Sequence, residues 1–206
     1  MKVLIVVAQQ YNGHELWTTL GILQEREIAF EVISTATTIV DEVTYQANTI
    51  ERTIDEVHPD TLKEFDGLAF VSGNMADTEA YWSNPRTLAY VDVAKALDMP
   101  IAAICCSVPT IRAAAKGKRV SFFPLVRSRQ ILGDAGADLQ TISISVDEKL
   151  VTAEHQMATQ IWADAFASVV LGEKVELDLV DSGFSPHGRT QRRLHPRLER
   201  IRGTDT

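Results

Sequence analysis

A single α/β domain, three layers deep with a mostly parallel central sheet, is the fold this sequence predicts, and three observations carry it. Short apolar, β-branched runs at residues 2–8, 67–72 and 101–104 read as strands covered on both faces. Stretches with helical spacing separate them, which calls for crossover connections and hence parallel pairing. At 206 residues, 45% of them hydrophobic and 23% charged, the chain can fill one sizeable core and is short for two ordinary domains.

Taken in order, residues 2–8 form the first buried strand. Helical spacing follows over 14–27, with Leu16, Leu20 and Leu23 on one stripe and Trp17 beside them. Residues 28–34 read as the second strand. The polar stretch 39–57, with isolated Val, Tyr and Ile, suits a hairpin excursion. Pro59 opens a brief helix to Phe65, at a first-turn position where its missing N–H is harmless. After the strand at 67–72 come helical stretches at 77–82 and 85–97, the latter placing Leu88, Val91, Val93 and Leu97 on or near one face. Residues 101–104 are the next strand, running into a turn at 105–110 and an Ala-rich helix to Ala115. Residues 120–123, 125–134 and a pair at 142–146 and 150–153 complete the pattern. A last helix over 155–171 turns Ile161, Trp162, Phe166 and Val170 inward. The arrangement is flavodoxin-like, and in such sheets ligands bind at the carboxyl ends of the strands near a switch in strand order. That rule selects the loops after Ala8, Val71 and Ile104. The domain spans 1–172, and 173–206 reads as an appendage, Arg-rich and solvated or disordered.

Net charge is −8, unevenly placed: six arginines after Gly183 make the tail basic, and the body before it is strongly acidic. An acidic body argues against a nucleic-acid surface on the main domain. No apolar run approaches the ~18 residues of a membrane span. The apolar start is too short for a signal sequence and is followed by Gln9, Gln10 and Asn12 rather than a small-residue cleavage site, so a cytoplasmic location is expected. Two sequence-adjacent cysteines provide no disulfide framework and read as reduced thiols.

One of those cysteines carries the chemistry. Cys105 ends a buried strand where a helix is expected to begin, an elbow that exposes the side chain and offers unpaired N–H groups to an anion. A thiol there is expected to be shifted toward the thiolate. Glu15, in the first turn of the first helix, reads equally as an acid serving the helix dipole. His155 follows the last strand and is placed either as a base toward Cys105 or as the opening residue of the last helix. His14, beside Glu15, reads as a surface histidine with a second reading as a neighbour of the site. His58, His187 and His195 lie in loop or tail contexts and play no part. No spacing of His, Cys, Asp or Glu makes a metal site, and no Gly-rich phosphate loop is present.

Ala102-Ala103-Ile104-Cys105 resembles the cysteine elbow of the DJ-1/PfpI superfamily, which has the class I glutamine amidotransferase-like fold. The likeness extends to Lys2-Val3-Leu4-Ile5 with Glu15-Leu16, to Phe65-Asp66-Gly67-Leu68-Ala69-Phe70-Val71-Ser72-Gly73, and to Val151-Thr152-Ala153 with the last helix. By this resemblance Cys105 is the nucleophile or redox thiol and Glu15 its carboxylate neighbour. Backbone N–H groups of Gly73 and Cys106 would form the oxyanion pocket. Asp77 would match the acidic residue that completes the triad across a dimer. The resemblance further implies a small-molecule substrate, no cofactor and a homodimer.

Several positions depart from the pattern. Val71-Ser72-Gly73 stands for Pro-Gly-Gly, Cys106 for the histidine of peptidase-like members, Ser107-Val108 for Gly-Pro, and Asn12 for an acidic residue. The missing Cys-His pair argues against peptidase activity. The expected function is a cysteine-dependent hydrolase or glyoxalase/deglycase-like enzyme on small carbonyl or acyl substrates. The alternative is a redox-responsive stress protein with an oxidisable cysteine. Fold alone does not choose between them.

Overall fold

The computed structural model describes residues 1–175; beyond those first few residues the appendage expected over 173–206 lies outside the described residues. Twelve strands are present among them: β1 Lys2–Val7, β2 Gln10–Tyr11, β3 Ala29–Ser34, β4 Thr38–Asp41, β5 Ala47–Thr49, β6 Arg52–Thr53, β7 Gly67–Val71, β8 Ile101–Ile104, β9 Arg119–Ser121, β10 Asp138–Gln140, β11 Ile144–Asp147 and β12 Leu150–Ala153. The α-helices are α1 Gly13–Glu25, α2 Met75–Tyr81, α3 Pro85–Ala96, α4 Val126–Asp134 and α5 Thr159–Val170.

Seven strands make the central sheet in the order β11-β12-β8-β7-β1-β3-β6, and every pairing but β11 with β12 is parallel. The α/β fold with a mostly parallel central sheet is therefore present. Alternation along β1 shows why its run is apolar throughout. Val3, Ile5 and Val7 pack with Leu16, Leu23, Trp162 and Phe166 on the α1/α5 face, whereas Leu4, Val6 and Ala8 pack with Tyr90, Val91 and Leu132 on the other. β7 and β8 split between the two faces in the same way. A strand with no solvated face has no polar position to spare.

From β1 the chain proceeds to β3 on one side, while β7 and β8 lie on the other. The switch in strand order thus falls between β1 and β7, and the crevice beyond their carboxyl ends is where such sheets take ligands. The excursion at 39–57 is a hairpin, β4 antiparallel to β5. It does two further things: β6 becomes an edge strand beside β3, and the short β2 pairs with β4.

Three local readings are corrected. No α-helix follows Cys105: residues Cys105–Ile111 form a 3-10 turn, because Pro109 has no N–H for the Cys105 carbonyl four residues earlier. Leu97 is 46% exposed, since α3 turns Thr87, Tyr90, Val91 and Ala94 inward instead. Trp17 is 49% exposed and rests edge-on against Tyr11 with ring centroids 6.0 Å apart. Among the described residues no helix is long and apolar enough to cross a membrane.

Candidate active site

Cys105 sits at the carboxyl end of β8 with a backbone φ of +57°. For a residue with a β-carbon this left-handed conformation costs roughly 1–3 kcal/mol, and such strain persists only where its surroundings enforce it. Here the enforcement comes from Ser107. Its hydroxyl accepts the Ile104 N–H at 3.1 Å and lies 2.8 Å from the Phe70 carbonyl, tying the turn to both β8 and β7. From the other side the Trp82 indole N–H donates to the Cys106 carbonyl at 2.8 Å. Replacing Trp82 by phenylalanine strands that buried carbonyl. The expected loss is about 1–3 kcal/mol, read as a lower urea midpoint with an unchanged slope.

Glu15 is fully buried. Its Oε2 accepts both the Ser72 N–H at 2.9 Å and the Ser72 hydroxyl at 2.7 Å, and its Oε1 has no hydrogen-bond partner. Burial, and then the nearby Cys105, hold the carboxyl proton well above the ordinary glutamate range. With two donors already on Oε2, the proton belongs on Oε1, which leaves Glu15 a neutral acid with one oxygen free to donate. The helix that carries it is fixed by Asn12. The Asn12 side-chain oxygen accepts the Glu15 N–H at 3.0 Å, and the Asn12 backbone N–H donates to the Ser72 carbonyl at 2.9 Å. The same side-chain amide donates to Glu42 at 2.8 Å and Gln156 at 2.6 Å. One asparagine therefore joins α1, the loop after β7, the hairpin and the segment after β12.

The Cys105 thiol is pushed up, not down as the elbow alone suggested. The Cys106 thiol beside it is the largest cause, its sulfur 3.7 Å away, and burial adds to it; the Ser72 hydroxyl and the Cys106 N–H pull the other way. A seven-residue 3-10 turn also lacks the aligned dipole of an α-helix, which removes the lowering that was expected. Both shifts favour the protonated forms of Cys105 and Glu15.

The remaining expected residues divide. Gly73 is at the site, but its N–H donates to the Thr78 hydroxyl at 3.1 Å, so it is not a free oxyanion donor. Cys106 keeps its N–H turned to the Cys105 sulfur. Asp77 accepts the Gln10 N–H at 2.9 Å and so holds β2 in place. His14 is exposed. His155 opens the 3-10 turn Gln156–Ala158, its Nδ1 accepting the Met157 N–H at 3.3 Å, and its ring lies against Phe123. No hydrogen bond joins His155 to Cys105, and the contact its ring nitrogen makes is the cap. Tyr81 and Trp82 are buried, Tyr81 donating to the Val7 carbonyl at 2.5 Å and Trp82 to Cys106. Among the described residues no group of three or more His, Cys, Asp or Glu could hold a metal ion.

Sequence reasoning missed Ser72, Asn12, Glu42, Gln156 and Thr78. The only signal for the first two was their departure from the resembled pattern, read as a loss when each in fact supplies a hydrogen bond.

The fold and this arrangement define an α/β protein with a strained cysteine at a strand end and a buried acid beside it. The DJ-1/PfpI family profile matches residues 1–168, and the chain belongs to that family. An uncharacterized protein of Methanocaldococcus jannaschii is 27% identical over 157 residues, 74% of each chain. The ThiJ/PfpI domain protein of Brachyspira murdochii shares the fold at a TM-score of 0.74 and 18% identity, over 84% of this chain and 98% of that one. Schizosaccharomyces pombe DJ-1 does so at a TM-score of 0.69 and 16% identity, over 84% and 97%.

Proposed function

We propose that this protein is a cysteine-dependent enzyme acting on small carbonyl or acyl compounds, with reactive 2-oxoaldehydes as the preferred substrate class. The observation that carries this reading is the unpartnered Oε1 of a fully buried Glu15 beside Cys105, where burial favours the protonated acid. A neutral acid next to a neutral thiol suits addition to a carbonyl. The sulfur bonds to the aldehyde carbon, the carbonyl oxygen takes the Glu15 proton, and the thiol proton passes to Glu15 in its place. The product is a hemithioacetal, and no charge is created in a buried site. With a neighbouring ketone, Glu15 gives its proton to the ketone oxygen as it takes the hydrogen of the former aldehyde carbon, forming an enediol. It then returns that proton to the second carbon as the hydroxyl on the first carbon gives its proton to Glu15, which leaves a thioester. Water cleaves the resulting thioester, releasing a 2-hydroxy acid and the free thiol. The Cys106 N–H is the oxyanion donor when water adds to the thioester. His155 supports the loop without exchanging protons, and peptidase activity is not part of the reading.

The test is methylglyoxal turnover together with intact-mass analysis of the chain. Wild type is expected to turn over and to trap an adduct on Cys105. Cys105→Ser is expected to fall to background. His155→Ala is expected to keep turnover within a few-fold while losing about 1 kcal/mol of stability with its cap. Turnover surviving in Cys105→Ser, or abolished in His155→Ala with the fold intact, sinks the assignment of roles. Oxidation of Cys105 by a limiting peroxide dose without any turnover favours the redox-sensing alternative. We further propose a homodimer and a cytoplasmic location. The exposed Trp17, Val43 and Tyr45 are the apolar groups a dimer contact would cover, and light scattering of the purified chain decides the assembly.

A further inference from the structure

The two thiols of this chain stand side by side, close enough for one soft atom to bond to both. The sequence contains two cysteines, both free, with their sulfurs 3.7 Å apart. A disulfide suits this placement poorly. Adjacent Cα atoms lie about 3.8 Å apart across a trans peptide, below the usual 4.4–6.8 Å of bridged cysteines. A single atom bonded to both sulfurs at about 2.3 Å, the length of a Zn–S bond, holds them about 3.4–3.8 Å apart for angles between pyramidal and tetrahedral. The observed 3.7 Å lies within that range.

The pair is also held in place. The Trp82 indole fixes the Cys106 carbonyl, and the Ser107 hydroxyl fixes the turn against Phe70 and Ile104. These bonds fix the backbone from which both sulfurs project. Cys105 is partly exposed and Cys106 buried, so an entering atom meets one sulfur from solvent and finds the second behind it. Zinc would need four ligands, and no such group exists among the described residues. A soft atom that needs two sulfurs and carries its own third substituent has no such requirement.

We propose that Cys105 and Cys106 form a chelating dithiol site for trivalent arsenic, taken as an arsenical with one retained substituent and one exchangeable oxygen. In the capture step each sulfur forms one bond to arsenic and the arsenic–oxygen bonding is broken. The two thiol protons leave on that oxygen as one water. No oxidation state changes, so no oxidant or reductant is needed. Capture occupies Cys105, and the same arsenical would therefore block any reaction at that sulfur.

The full chain, reduced and freed of small thiols, is titrated with phenylarsine oxide and followed by intact mass and by counting free thiols. One phenylarsine per chain with the loss of both thiols is expected, reversed by 2,3-dimercaptopropanol. Cys105→Ser and Cys106→Ser are each expected to bind at least about 100-fold more weakly, the low end of the gain from joining two contacts. Thermal melts show whether each variant is folded, and the wild-type stoichiometry depends on neither. One thiol lost per arsenic, two arsenicals per chain, chains linked through arsenic, or a folded serine variant with wild-type affinity overturns the proposal. None of these outcomes bears on methylglyoxal turnover, which tests the enzymatic reading separately.

Discussion

Glu15→Gln is expected to lower turnover by about 10²–10⁴-fold while making the protein more stable than wild type at neutral and higher pH. Glutamine keeps an oxygen for the two Ser72 donors and places an amide where the unpartnered Oε1 stands. It preserves the shape and the hydrogen bonds but carries no transferable proton. The stability effect follows from the raised carboxyl pKa. Above the unfolded value of 4.5 the unfolded chain ionises Glu15 and the folded chain does not. The contribution of this group to stability is therefore full below that value and declines as pH rises toward the folded value, beyond which it is constant. The substituted amide has nothing to ionise in either state. The stability gap, variant minus wild type, widens with pH by at most about 1.4 kcal/mol per unit. Urea melts from pH 5.5 to 8.5, above the sequence pI of about 5.1, measure it. A constant gap would mean that Glu15 is ionised in the folded protein, and the neutral-pair chemistry would then be wrong.

Gly73→Ala is expected to be the most destabilising single methyl addition near the site. A β-carbon there would lie 2.0 Å from the Gln10 carbonyl oxygen and 2.6 Å from the Tyr11 Cα. Both are backbone atoms of β2, which cannot rotate away as a side chain could. Gly73 and Tyr11 form an antiparallel bridge, and the Gly73 N–H is engaged with Thr78. Accommodating the methyl means shifting β2 and, with it, the Asn74 and Asp77 contacts to Gln10. Overpacking against movable side chains costs about 1–3 kcal/mol; against this backbone about 3 kcal/mol or more is expected. For a chain of this size that corresponds to a Tm lower by about 6–12 °C. A melting temperature within about 2 °C of wild type, equivalent to about 1 kcal/mol or less, would show that β2 is free to move.

The strands were legible in proportion to their burial. β1, β7, β8 and β12 are buried along most or all of their length, and their residues announce it. β2 and β10 are two- and three-residue segments of mixed polarity, set by the partners they meet, and too short for any local pattern to mark them. Pro109 was readable: with no N–H to offer the Cys105 carbonyl it forbids an α-helix through 105–109, whereas no local signal marks the alanines after it as a turn. At the site, Cys105 and Glu15 were found through the family pattern, with placement at a strand end and a first helical turn as weaker support. Ser72 was not, because a serine after a strand looks the same whether its hydroxyl meets water or a buried acid. His155 was ambiguous for a related reason: a ring nitrogen serves equally to cap a turn or to take a proton. The Met157 N–H beside it supports the first use.

The positive φ of Cys105 has a meaning for how this chain can change over generations. Glycine adopts that conformation without the steric penalty a β-carbon brings, and asparagine with less of one than most residues. A lineage with no use for the thiol would gain stability by drifting to either, since selection purges only what falls below the threshold that function sets. Keeping cysteine at position 105 therefore works against the direction that folding alone would favour. Sequencing natural variants of this gene at that single codon is an assay of whether the sulfur is under selection, and it requires no substrate to be known.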